Sequence, residues 1–69
     1  MDISARNKLP GTVTMIKKGP VNTEVLITLD GGCEIVSIIT TYSAERMNLA
    51  EGKKVYAIMK ASEVMVGTD

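Results

Sequence analysis

Hydrophobic and polar positions alternate along most of this chain with a period of two, the pattern of half-buried strands. In residues 22–30, Val25, Ile27 and Leu29 point one way while Glu24, Leu26 and Thr28 point the other. Asp30-Gly31-Gly32 can adopt the positive φ of a tight hairpin, so residues 33–40 should pair antiparallel with that run. There Ile35, Ser37 and Ile39 share one face, and Val36 and Ile38 the opposite one. Val55, Ala57 and Met59 likewise oppose Tyr56, Ile58 and Lys60. Turn signals at Pro10-Gly11, Gly19-Pro20, Asp30-Gly31-Gly32 and Glu51-Gly52 cut the chain into strand-length runs. The spacing predicts strands at 3–7, 11–18, 22–30, 33–40, 53–60 and 62–66.

One segment breaks the alternation. Residues 43–49 are good helix formers, with Ser43 able to cap the start and Gly52 just beyond the end. A short helix between the third and fourth long strands is the arrangement of an OB-type barrel. Val, Ile and Thr occur seven times each, so 21 of 69 residues are β-branched, which favours strands. The expected fold is all-β: a small OB-like barrel of five to six strands with one short helix, occupying 1–69 as a single domain.

Size then limits how such a barrel can be stable. A domain this short buries only about 60% of the surface its unfolded chain exposes. One cysteine, Cys33, cannot form an internal disulfide, and without histidine there is no imidazole metal site. Several strands are apolar on both faces, yet a small barrel has one interior. Leu26, Val36, Ile38 and Ile58 therefore need cover from outside the barrel, and a second copy of the chain is the simplest source.

Charge and composition exclude other roles. Eight Lys and Arg balance eight Asp and Glu, which argues against a nucleic-acid or membrane-surface binder. Two tyrosines, with no Trp or Phe, leave few faces on which a base could stack. Catalysis lacks its usual parts: no histidine base, no Walker-type loop, and acidic residues scattered singly, so neither a carboxylate pair nor a metal-cation cage is formed. What stands out is cations beside small hydroxyl residues: Ser4-Ala5-Arg6, Thr40-Thr41-Tyr42-Ser43 and Lys60-Ala61-Ser62. Arg gives a planar fork, Lys a point charge and hydroxyls rotatable donors, the parts of a tetrahedral-oxyanion pocket. On residue types alone, solvated surface charges and a helix cap explain them more simply.

The segments Ile3-Ser4-Ala5-Arg6-Asn7-Lys8-Leu9 with Gly11, and Lys17-Lys18-Gly19-Pro20-Val21-Asn22-Thr23-Glu24-Val25, resemble the molbindins, small molybdate-binding proteins built on a Mop (TOBE-type) domain. The likeness continues through Ser37-Ile38-Ile39-Thr40 and residues 49–55 to residues 57–66. The resemblance implies a homohexamer, a trimer of dimers, storing molybdate or tungstate in the cytoplasm at subunit interfaces, with no organic cofactor. It implies that Ser4, Ala5 and Arg6 of one subunit face Thr40, Ser43, Lys60, Ala61 and Ser62 of another. A second oxyanion site would lie at Lys18, Gly19, Val21 and Asn22, weakened because Pro20 lacks an N–H donor. The alternative role is a molybdate-sensing module acting on a partner protein.

Assembly is testable directly. Light scattering in neutral buffer should report a mass several times the 7.4 kDa of one chain. A clean monomer at micromolar concentration would contradict the requirement for outside cover.

Overall fold

The computed structural model describes all 69 residues. Four strands form one antiparallel sheet: β1 (Asn7–Lys18), β2 (Asn22–Leu29), β3 (Glu34–Thr40) and β4 (Lys54–Met59), in the spatial order β3-β2-β1-β4. A single short helix, α1 (Thr41–Arg46), lies between β3 and β4. The sheet curls into an OB-like half-barrel, so the all-β class holds. Its core is small: Val13, Val25, Ile27 and Ala57 are buried, with Ile16, Leu29, Ile35, Ile39, Leu49, Val55 and Met59 packed against them. The inward faces are those the alternation assigns.

The strand count is four rather than five or six. Residues 3–7 and 62–66 do not extend the sheet of this chain as separate strands; Asn7 opens β1, and a one-turn 3-10 helix occupies Ala61–Glu63. Pro10-Gly11 is not a turn but the interior of β1, which runs on for twelve residues. Pro10 is tolerated because its carbonyl accepts the Asp30 N–H at 3.2 Å, which puts its ring nitrogen on the side where β2 has just ended. Gly11 sits where β1 pairs with Leu29 of β2 and Val55 of β4 at once. A Cβ there would come within 2.8 Å of the Thr28 carbonyl oxygen and of Ile27.

A bulge between Val13 and Met15 shifts the register against β2. Thr14 and Met15 both turn outward, so Val13 and Ile16, three residues apart, face the same core. The helix starts earlier than its sequence suggests. Thr40, not Ser43, is the N-cap, its hydroxyl accepting the Ser43 N–H at 3.1 Å. It also ends earlier, at a Schellman closure: Leu49 N–H bonds the Ala44 carbonyl, Asn48 N–H bonds that of Glu45, and Asn48 takes the left-handed φ of 54°.

Little of the chain is hidden. Only 8 of 69 residues are buried; of the residues expected to need cover, Val36, Ile38 and Ile58 remain exposed, as does Tyr56, whereas Leu26 is half-buried. The outer edges of β3 and β4 are unpaired. Close packing at Gly11 yields a stability prediction. Gly11→Ala should destabilise the protein by about 1–3 kcal/mol in urea unfolding, because overpacking against backbone outweighs the smaller entropy gain. An unchanged midpoint would mean the sheet opens there at no cost.

Candidate functional site

The two ends of β1 carry different candidate residues. At its start, Asn7 pairs with Met59, so the segments flanking that pair run side by side. Ser4, Ala5 and Arg6 before β1, and Lys60, Ala61 and Ser62 after β4, line one open cavity of about 520 Å³, together with Ile58. The 3-10 turn holds Ala61 and Ser62 near Lys60, closed by the Glu63 N–H bonding the Lys60 carbonyl at 2.9 Å. No carboxylate lines this cavity, and neither Arg6 nor Lys60 is in an ion pair. Two uncompensated cations, two hydroxyls able to turn their protons inward and no carboxylate make a setting for a multiply charged anion.

Thr40 and Ser43 are at the other end. Thr40 lies opposite Asn22, beside the Lys18–Thr23 pair that ends β1. Eleven residue steps of strand separate that end from Asn7, on the order of 30 Å. Thr40 and Ser43 do not line the first cavity. Their hydroxyls are coupled: Thr40 Oγ1 donates to Ser43 Oγ at 2.9 Å, which leaves the Ser43 proton free for another acceptor. Antiparallel pairing of β1 with β4 brings Ser4–Arg6 and Lys60–Ser62 together in one chain, and separates both from Thr40 and Ser43.

Thr41 fixes the position of that second pair. Its hydroxyl donates to the Gly19 carbonyl at 2.7 Å and so must accept from Thr23 Oγ1, 2.8 Å away. Its N–H bonds the Val21 carbonyl at 2.8 Å. Both threonines are buried, and this buried relay ties α1 to the β1–β2 loop. Sequence reasoning grouped Thr41 with the hydroxyls before the helix but did not foresee its pairing with Thr23, because buried and surface threonines look alike in sequence.

Of the residues expected at a second oxyanion site, Lys18, Gly19 and Asn22 line a shallow cavity of about 330 Å³ with Lys17 and Glu24, while Val21 is exposed and does not line it. Lys18 Nζ is bound to Glu45 Oε2 at 2.8 Å. With one lysine engaged, a carboxylate in the lining and Pro20 lacking an N–H, this loop offers an anion less than the first cavity does.

Residues 3–66 match the TOBE domain family. The chain is 44% identical over 66 residues to molybdenum-pterin-binding protein 2 of Clostridium pasteurianum, covering 96% of this chain and 97% of that one. It is 48% identical over its whole length to the molybdenum transport protein ModE of Azotobacter vinelandii, of which it spans about a quarter (26%). Among solved structures it resembles the cytoplasmic molybdate-binding protein ModG with molybdate bound, at a TM-score of 0.85 and 49% identity, over 88% of this chain and 43% of that chain.

Proposed function

The chain belongs to the TOBE-domain family, among the molbindins, and from that premise we propose that it binds molybdate or tungstate reversibly and without chemistry. The observation that carries this reading is the cavity at the start of β1, where Arg6 and Lys60 converge with Ser4 and Ser62 and no carboxylate intrudes. Two cations offset the charge of a tetrahedral dianion, while hydroxyls and backbone N–H groups replace its hydration shell with charge-assisted hydrogen bonds. The proximity of Ala5 and Ala61 leaves room for a large oxyanion.

In this reading the site is completed by a second copy. Thr40 and Ser43 of one chain meet the Arg6–Lys60 cavity of another, because the length of β1 keeps them apart within a chain. Association also answers the open edges of β3 and β4 and the exposed Val64, Met65 and Val66 beyond the 3-10 turn. The hexamer, as a trimer of dimers, is the assembly we infer, serving storage of the oxyanion in the cytoplasm. The likeness to one quarter of a longer transport protein favours a second role for the same site, as the sensing module of a partner.

Titration calorimetry with molybdate, tungstate and sulfate tests the binding. Ser43→Ala should weaken molybdate by about 1–3 kcal/mol, the cost of one lost hydrogen bond to a charged group. Lys60→Ala should cost more, since it leaves the dianion partly uncompensated. Co-refolding tests the arrangement. A mixture of Arg6→Ala and Ser43→Ala chains should recover tight sites, whereas Arg6→Ala with Lys60→Ala should recover none. Recovery only in the second mixture would mean that the cavity of one chain is not the site.

A further inference from the structure

Charge does not distinguish one tetrahedral dianion from another, and the cavity at the start of β1 is charge-matched to all of them. Arg6 and Lys60 supply two positive charges. Lys8, the nearest further cation along β1, has its Nζ 5.6 Å from the centre of the Tyr56 ring and does not line the cavity. Selection among dianions must therefore come from a group without charge. One wall fits that role. Ile58 is the only large apolar side chain in the lining, projecting from the outer face of β4 opposite Lys8.

Ile58 is not among the side chains packed on the core cluster, although it borders an apolar cavity with Val13, Val25 and Ile27. Val55, Ala57 and Met59 of β4 pack on the core, while Ile58 is 48% exposed. It belongs to the apolar outer row that a second copy would cover, and its side chain also places a hydrocarbon surface beside the donors, where it offers an anion no hydrogen bond. The cost of losing hydration on that side rises as the ion becomes smaller, because solvation energy scales inversely with radius. Sulfate, with its shorter bonds, loses more there than molybdate or tungstate.

We propose that Ile58 is the specificity-determining residue of this cavity, an apolar wall that disfavours small, strongly hydrated dianions relative to large ones. The inference rests on the oxyanion reading of the cavity and adds the basis of its selectivity. It differs from selection by size alone: enlarging the cavity should then help the larger ion or leave the ratio as it is, whereas wetting the wall should help the smaller one.

The test is calorimetric titration of the assembled protein with sodium molybdate and sodium sulfate, comparing Ile58→Thr and Ile58→Val with the parent and checking assembly by light scattering. Ile58→Thr keeps the β-branch and adds a donor, so the molybdate-to-sulfate affinity ratio should fall about fivefold or more, mainly through tighter sulfate. Ile58→Val keeps the wall apolar but thins it, and the ratio should fall only about twofold. If the threonine variant does not assemble, the valine variant decides. An unchanged or widened ratio in the assembling variants overturns the proposal. Arg6→Ala separates the two levels: it should weaken both anions by a similar factor. If Arg6→Ala leaves molybdate binding intact, the oxyanion reading fails and this inference with it. If Arg6→Ala weakens both anions but Ile58→Thr leaves their ratio unchanged, only the role of Ile58 is wrong.

Discussion

The length of β1 and its change of partner govern the rest of this molecule. Its first half pairs with β4 and its second half with β2, with only Gly11 and Thr12 paired on both sides. Val13, fully buried, sits beside that handover, and the bulge after it lets the strand bend without losing its apolar face. One strand thus organises both halves of the curl. The same geometry holds its two ends apart, with Arg6 and Lys60 at one and Thr40 and Ser43 at the other.

Stability and function meet at this point. A core in which Val13, Val25, Ile27 and Ala57 are the buried members of the central cluster is a slender support for a fold. The outward rows of Val36 and Ile38, and of Tyr56 and Ile58, are apolar surface left open by a single chain. Covering those rows with another copy adds buried area and, in the proposed arrangement, adds the Thr40 and Ser43 hydroxyls to those of Ser4 and Ser62. Binding and folding would then be linked through association, each oxyanion adding stability to the assembly that forms its site.

Much of this was legible in the sequence, where side-chain periodicity records burial directly. The alternation of Val25, Ile27 and Leu29, and of Val55, Ala57 and Met59, identified the inner faces correctly. Features set by backbone hydrogen bonding were not visible. Pro10-Gly11 reads as a turn, and only the pairing partners on either side show that it is strand. The bulge at Thr14 leaves no compositional mark. Thr40 and Ser43 are both competent caps, and the choice between them depends on where β3 ends. Among the candidate site residues, chemistry singled out the Ser4–Arg6 and Lys60–Ser62 segments. Their meeting within one chain depends on register, which residue types alone do not specify. Ile58 was read only as surface needing cover, because the cavity it borders exists only once β1 and β4 are paired.

The central claim is that an oxyanion site arises from the meeting of two chains, and native mass spectrometry tests it most directly. Spectra of the protein with and without molybdate, across a dilution series, report assembly size and bound oxyanion together. The account predicts a multimer that retains molybdate, with retention lost as the assembly dissociates into single chains. A monomer that carries molybdate as tightly as the multimer would contradict it.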